Sequence, residues 1–189
     1  MKKISLLVFL LMTFVVLCGS AFFIVKKRTQ KIHLLTFRNE EYRLSFSYPS
    51  NFQVTPLSEK QNEEYFLFRS VREQPSALIS LRYEKGLGVL KLTGGSILDS
   101  LINGVNRRYP ERFPEFKKTK FEEKVVGNEK SALFEFTYLG TDKSTRMKQR
   151  LIIISKDNNV FYLSMQSTEA EFEKSIQDFN EIERTFTFL

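Results

Sequence analysis

The chain offers few residues that could carry out catalysis or hold a metal. Its 189 residues include one histidine, His33, and one cysteine, Cys18. A Ser-His-Asp or Cys-His site needs a base held beside its nucleophile, and a zinc site commonly recruits several histidine or cysteine ligands. Because His33 stands alone in a polar stretch near the N-terminus, we predict no catalytic residue, no metal and no cofactor.

Carboxylate chemistry remains open, because aspartate and glutamate are plentiful. The acidic runs at Glu122-Glu123 and at Glu169, Glu171 and Glu173 have the character of solvated faces. Glu135 alternates with two phenylalanines, so its side chain should point away from their core face. No pair of carboxylates stands in an apolar setting. An envelope hydrolase that uses carboxylates alone, for instance on glycans, is therefore an alternative function.

One weak anion-binding candidate precedes a predicted helix. Gly94, Gly95 and Ser96 come directly before an apolar, helically spaced stretch, and free backbone N–H groups at a helix start can hold an anion. Neither a Walker A motif nor a dinucleotide fingerprint is present, because no Gly-Lys-Ser/Thr follows. A capped helix after a flexible turn accounts for the same three residues.

The positive charge of the chain is concentrated at its N-terminus. The formal net charge is +7, from 29 basic and 22 acidic residues. The basic residues within 1–28 are Lys2, Lys3, Lys26, Lys27 and Arg28, with no acidic residue among them. Residues 29–189 therefore hold 24 basic and 22 acidic residues. A nucleic-acid-binding body should carry clustered excess cations, so we expect no nucleic-acid partner.

Residues 4–25 are uncharged and predict one N-terminal transmembrane helix. Twenty-two helical residues extend about 33 Å, enough to cross a hydrocarbon core of about 30 Å, and the five basic residues flank this segment at the lipid headgroups. Two alternatives remain. Gly19 and Ala21 could flank the cut of a signal peptide, and Cys18 could carry a lipid, although the bulky Leu17 precedes it.

The side of the membrane is not fixed by the flanking charges. The cations after the apolar segment outnumber those before it, which favours a cytoplasmic body. A short Lys-Lys start ahead of an apolar run is typical of bacterial export signals, and long domains translocate largely regardless of charge. We favour an extracytoplasmic body, with a cytoplasm-facing scaffold as the alternative.

The remaining chain alternates as strands do, with two helical stretches. The predicted strands are 41–48, 65–71, 77–83, 118–126, 131–139, 145–155, 160–166 and 186–188. Helices are predicted from the cap Ser96 to Tyr109, before Pro110, and over 169–184 after the cap Thr168. The apolar strand 145–155 should run through the middle of a sheet. Residues 1–28 thus form the anchor, 29–40 a tether and 41–189 one globular domain.

The alternating aromatic residues predict one common core. Phe46, Phe134, Phe136 and Phe161 each fall on the apolar face of a predicted strand. We expect them to form the inner lining of one helix-covered sheet.

The residues Tyr48-Pro49-Ser50-Asn51-Phe52 resemble the F-x-Y-P-x-x-W/F opening of the PsbP superfamily. This superfamily includes the photosystem subunit PsbP, Ran-binding nuclear-import factors and bacterial envelope proteins such as DcrB. The order of elements over most of 40–189 is similar too. Phe52 stands where the family often has tryptophan, and the metal-binding His and Asp of the photosystem member have no counterpart here.

The resemblance implies an α+β fold, an antiparallel β-sheet with helices on both faces. Its members act mainly as binding or assembly accessories rather than as enzymes. The expected function is therefore a membrane-tethered, non-catalytic binding or assembly-accessory domain. Its partners would be the lipid bilayer, through residues 4–25, and an unidentified protein or small ligand.

Overall fold

The computed structural model describes residues 32–63, 65–85 and 96–189. The strands in these ranges are β1 (Leu34–Asn39), β2 (Leu44–Pro49), β3 (Gln53–Val54), β4 (Phe66–Arg72), β5 (Ala77–Lys85), β6 (Lys117–Val126), β7 (Glu129–Leu139), β8 (Arg146–Lys156), β9 (Asn159–Thr168) and β10 (Thr187–Phe188). The helices are α1 (Glu59–Glu63), α2 (Ile97–Arg112) and α3 (Glu169–Thr185).

None of these helices is both long and apolar enough to cross a membrane. The predicted spanning helix at residues 4–25, its five basic flanking residues and Cys18 lie outside the described residues.

The strands form two antiparallel sheets. The main sheet has seven strands in the order β3-β4-β5-β9-β8-β7-β6, and the small sheet has the order β1-β2-β10. Short turns join β4 to β5 and each consecutive pair from β6 to β9, whereas α1 lies between β3 and β4 and α2 between β5 and β6. Gly127 and Asn128, with φ of 60° and 67°, turn β6 into β7, as hairpins with primed turns require. β8 lies between β9 and β7, which confirms that the strand predicted from its two apolar faces to run through the middle of a sheet is an interior one.

Two sequence predictions about the start of the domain are wrong. The opening strand at 41–48 contributes β2 to the small sheet and not a strand to the main one. The segment interpreted as a tether contains β1, which pairs with β2 from Leu34↔Pro49 to Asn39↔Leu44. Four of its six residues are exposed, so its apolar pattern was too weak to predict a strand. Backbone hydrogen bonding to β2, a long-range property, holds it in place.

One face of the main sheet carries the larger core. Helix α3 and the small sheet cover this face, and α3 packs against β2, β5, β8 and β9. The core contains Phe46, Leu81, Ile152, Phe161, Phe172 and Phe179, each at most 2% exposed. Phe172 and Phe179, with Ile182, form the buried stripe of α3 at helical spacing.

The opposite face of the sheet carries a second core under α2. Here Ile97, Leu98 and Val105 of α2 pack toward the side chains of β7 and β8. The strand residues of this core include Ala132, Phe134, Phe136, Leu151 and Ile153.

The aromatic residues expected to share one lining are all buried, but they divide between the two cores. Phe46 and Phe161 belong to the first core, whereas Phe134 and Phe136 belong to the second. Alternation shows which residues of a strand share a face. When a strand is apolar on both faces, alternation cannot show which of these faces packs in the same core as the apolar face of another strand.

Helix α2 extends past the predicted end at Tyr109 and contains Pro110. The rings of Tyr109 and Phe113 pack against Phe136, with centroids 5.4 and 5.6 Å apart. We attribute the extra turn to this packing, which outweighs the missing proline N–H. Thr168 precedes α3 as predicted, but its side chain makes no capping hydrogen bond.

Two buried arginine clusters attach α3 to the main sheet. Arg150 donates from Nε to Glu135 Oε1 at 2.8 Å and from its other end to Asn180 Oδ1 of α3 at 2.6 Å. Glu135 points away from the face of Phe134, as predicted. It is 7% exposed, so this carboxylate is buried under α3 and not part of a solvated face.

Arg72 of β4 forms the second cluster. Its guanidinium pairs with Asp178, donates to Ser175 Oγ at 2.6 Å and to the Pro75 carbonyl at 2.9 Å, and lies 4.5 Å from the Phe52 ring centroid. The side chain of Arg72 is 5% exposed and that of Asp178 22%. Each of the three guanidinium nitrogens therefore has an acceptor, which offsets the cost of burying its charge.

We predict that Arg72→Met lowers the free energy of unfolding by about 3 kcal/mol, because Asp178 is left partly buried without its partner. Urea unfolding followed by circular dichroism measures this. Arg38→Met is the control. The Arg38 side chain, which pairs with Glu40, is 59% exposed, and exposed ion pairs contribute little to stability. Equal stability of the two variants would contradict the assignment.

Candidate functional site

A cavity of about 380 Å³ lies between α2 and the main sheet. The sheet contributes residues from β5, β8 and β9, which alternation places on the face toward α2. Arg82, Tyr162 and Ile153 are direct neighbours across these three strands. The described residues that line it are Arg82, Glu84, Leu101, Gly104, Val105, Arg108, Tyr109, Arg112, Gln149, Leu151, Ile153, Tyr162 and Ser164.

Helix α2 presents one side to this cavity. Leu101, Val105, Arg108 and Arg112 are spaced three and four residues apart, so they share a helix face. The first half of that face is apolar and the second half is basic. The helix begins at the N-cap Ser96, whose Oγ accepts from the Asp99 N–H at 3.4 Å. The site thus has an apolar wall and a cationic end.

The polar floor of the cavity comes from β5 and β9. Tyr162 donates its hydroxyl to Glu84 Oε2 at 2.8 Å. The Arg82 guanidinium lies near two rings, 5.5 Å from the centroid of Phe66 and 5.8 Å from that of Tyr162. The buried Nε of Arg82 has no hydrogen-bond partner within the described parts of the chain. A buried N–H without an acceptor costs about 1–3 kcal/mol.

Gly104 keeps the cavity open at the middle of α2. A Cβ placed on this residue meets no described atom within 4 Å. Close packing therefore does not require a glycine here. A glycine inside a helix costs about 0.5–1 kcal/mol relative to alanine, so the residue lowers helix stability while preserving open volume.

Burial raises the pKa values of three tyrosines around this region. Desolvation raises the pKa of Tyr109, against the opposing charges of Arg112 and Arg82. Desolvation and then the hydrogen bond to Glu84 raise the pKa of Tyr162, and desolvation raises that of Tyr138 to about 12. These phenols are therefore neutral donors at physiological pH and not bases.

A second cavity of about 490 Å³ lies at the C-terminal end of α2 and shares Arg112 with the first. Phe113, Tyr138 and Met147 supply apolar lining. Its one carboxylate, Asp142, accepts from the Ser144 and Thr145 N–H groups at 3.0 and 2.9 Å. The hydrogen bond from the Thr145 hydroxyl, followed by these two backbone bonds, lowers the pKa of Asp142, and together they tie this carboxylate into a turn.

The two cavities beside α2 and a third of about 260 Å³ near Arg72 are each lined by a single carboxylate. These are Glu84, Asp142 and Glu73. A glycan hydrolase of the expected kind places two carboxyl groups about 5–10 Å apart in one cleft. None of these three cavities supplies such a pair from the described residues.

The other predicted site residues lie elsewhere. His33 is exposed at the start of the small sheet, where its Nδ1 is 3.2 Å from Ser50 Oγ. Ser96 is a helix cap, while Gly94 and Gly95 lie outside the described residues, so the anion site there stays a prediction. Within residues 32–63, 65–85 and 96–189, no cluster of three metal-ligating side chains occurs.

Sequence reasoning missed the residues of the cavity beside α2. In sequence, Arg108 stands near Arg107 and the lysines 117, 118 and 120, among acidic residues that dilute the positive charge, so nothing distinguishes it from an ordinary surface charge. It is exposed but also lines the cavity. Arg82 alternates with buried residues of β5, so the strand pattern alone places it on the opposite face and assigns it no site. One sequence signal was available. Arg82 and Glu84 are charged residues on the second face of a strand that lies between apolar strands.

Comparisons with solved structures identify the fold. CyanoP, the cyanobacterial PsbP of Synechocystis sp. PCC 6803, has a TM-score of 0.57 and 10% identity, covering 86% of this chain and 96% of CyanoP. Mog1p, a Ran-binding protein of Saccharomyces cerevisiae, has a TM-score of 0.55 and 9% identity, covering 84% and 96%. The chain has the PsbP-like fold.

A further PsbP-like neighbour is LpqN of Mycobacterium tuberculosis, a protein involved in cell envelope biogenesis. Its TM-score is 0.54 with 14% identity, covering 85% of this chain and 92% of LpqN. No family model and no curated protein matches the sequence. The resemblance predicted from the Tyr-Pro opening is confirmed at the level of the fold. Since one fold hosts many functions, the function must be argued from the site.

We predict that stability falls as pH rises above about 10. Unfolded tyrosines ionise near 10, whereas Tyr138 holds its proton to about 12 and Tyr162 is shifted in the same direction. The native state thus binds more protons in this window, and its stability, complete below pH 10, is lost toward pH 12.

Ultraviolet absorbance of tyrosinate, recorded for native and urea-unfolded protein, measures the two titrations. Tyr138→Phe and Tyr162→Phe should each remove one phenol from those that ionise only at high pH in the native protein. Coincident native and unfolded titration curves would contradict the prediction.

Proposed function

We propose that this domain is a non-catalytic binding module whose ligand site is the cavity between α2 and the main sheet. We further propose that residues 4–25 hold the domain at a membrane and that it faces away from the cytoplasm. The cavity volume falls in the range of about 300–1,000 Å³ usual for small-molecule sites. Its lining combines an apolar wall with a few convergent polar groups, as such sites do.

The observation that carries the proposal is the open space beside Gly104. Most helix positions of this kind are filled by a side chain that buries apolar area and favours the helix. Here Leu101, Val105, Leu151 and Ile153 surround a volume that no described side chain occupies. A ligand that fills this volume would recover the missing apolar contacts, since burial contributes roughly 25 cal/mol per Å².

A binding role also agrees with the fold neighbours. Mog1p is a Ran-binding protein, and LpqN is involved in cell envelope biogenesis. At 9% and 14% identity these likenesses support only the fold, so neither partner is transferred to this chain. The membrane anchor rests on the uncharged segment and its basic flanks alone.

Filling the cavity should abolish ligand binding without unfolding the protein. The full chain, solubilised in detergent, is titrated with the neutral probe benzyl alcohol and with phenylphosphonate. Methyl NMR signals of Val105, Leu151 and Ile153 report occupancy. We expect saturable shifts in the wild type and their loss in Gly104→Leu, whose side chain occupies the same space.

Gly104→Ala is the matched control, since it adds only a Cβ in open space. It should keep probe binding and raise the free energy of unfolding by about 0.5–1 kcal/mol, the helix preference of alanine over glycine. If neither probe shifts the cavity methyl groups of the wild type, the proposed site is wrong.

The proposed topology predicts that the C-terminus lies outside the cytoplasm. A reporter active only after export, fused to Leu189, should be active, and a reporter that works only in the cytoplasm should be inactive at the same position. Replacing residues 4–25 by a polar linker is the control and should reverse both signals. The opposite pattern in the intact chain would favour the cytoplasm-facing scaffold.

A further inference from the structure

Three arginines reach the cavity beside α2 from two different elements. Arg82 comes from β5, while Arg108 and Arg112 come from consecutive turns of α2. The positive end of the cavity is therefore built by the tertiary structure and is not a run of basic residues. An arginine guanidinium presents five donors in a planar fork that fits carboxylate and phosphate groups.

None of the three guanidinium groups forms an ion pair with a residue that the structure describes. The single carboxylate of the lining, Glu84, accepts the Tyr162 hydroxyl. Three positive charges and one negative charge leave the described lining residues with two uncompensated positive charges. Buried arginines of the first core behave differently, because Arg72 and Arg150 each have a carboxylate partner.

The position of Arg82 makes an anionic ligand the best explanation. The negative end of the α2 dipole stabilises cations in its last turn, which accounts for Arg112 and contributes at Arg108. It does not account for Arg82, which belongs to a strand. The buried Nε–H of Arg82 has no acceptor in the described parts of the chain, so a ligand oxygen would supply the missing hydrogen bond.

We propose that the cavity binds a small ligand in which a phosphate-type dianion is joined to an apolar or aromatic body. This inference rests on the proposed binding function and specifies its ligand. The dianion balances the two uncompensated charges, and its oxygens accept from Arg82, Arg108 and Arg112. The body contacts Leu101, Val105 and Ile153. A soluble phosphate monoester and the phosphomonoester headgroup of phosphatidic acid share this chemistry.

The test compares three probes that share a phenyl ring on the full chain in detergent. Benzyl alcohol is neutral, benzoate is a monoanion, and phenylphosphonate becomes a dianion as pH rises through its second ionisation. We expect affinity to increase in that order, with phenylphosphonate at least tenfold tighter than benzyl alcohol. Its affinity should rise with pH across the second ionisation and fall with added salt.

Arg82→Met should weaken phenylphosphonate binding about ten- to a hundredfold, the effect of removing a hydrogen bond to a charged group, and leave benzyl alcohol within about threefold. Arg108→Met should act in the same direction, and because Arg108 is exposed, this variant tests the proposal even if Arg82→Met folds poorly. Arg69→Met is the control. Arg69 lies on the neighbouring strand β4, on the same face of the sheet as Arg82, and is outside the cavity lining.

The source of the phosphate is distinguished in lipid nanodiscs. If a lipid headgroup is the ligand, discs that contain phosphatidic acid shift the Arg82 Nε–H signal with no probe added and weaken phenylphosphonate binding. If the ligand is soluble, discs with and without phosphatidic acid give the same spectra and affinities. Either result agrees with phosphate recognition.

The inference is overturned if phenylphosphonate binds no tighter than benzyl alcohol, or if Arg82→Met and Arg108→Met lower its affinity no more than Arg69→Met. The binding function can still hold in that case. It is supported if benzyl alcohol shifts the cavity methyl signals of the wild type but not those of Gly104→Leu. If no probe reaches the cavity of the wild type, the binding function and this inference fail together.

Discussion

The architecture depends on the two apolar faces of the main sheet. Strands β7, β8 and β9 carry buried side chains on both sides, so both faces must be removed from water. Helix α3 and the small sheet cover one face, and α3 is held there by Arg72 and Arg150. Helix α2 packs on the other face against β7 and β8. The cavity lies where α2 extends past these strands toward β5.

The charges of the protein are arranged differently on the two faces. Under α3, Arg72, Glu135 and Arg150 are paired and tie the helix to the sheet. Beside α2, Arg82, Arg108 and Arg112 line open space without a described ionic partner. The first arrangement is what a buried structural ion pair requires, and the second is what a preformed anion site provides. This contrast, within one sheet, separates stabilising charges from candidate binding charges.

Most of the fold could be predicted from local pattern. The strands from β4 to β9, the helices α2 and α3, the cap Ser96 and the hairpin turn at Gly127 all follow from alternation, helical spacing and turn residues. Strand β1 could not be predicted, because four of its residues are exposed and only pairing with β2 orders them. The three-residue extension through Pro110 to Arg112 depended on ring packing against Phe136, a contact between residues far apart in sequence.

The amino-acid sequence by itself determined which residues of each strand share a face, that Phe, Leu and Ile build the core, and that a PsbP-like fold results. It also located the uncharged N-terminal segment. Only the tertiary structure decided that Phe46 and Phe134 lie in separate cores and that Arg82 meets Arg108 across a cavity. The physical reason is that alternation is a property of one strand, whereas a cavity is the volume that packed elements leave unfilled.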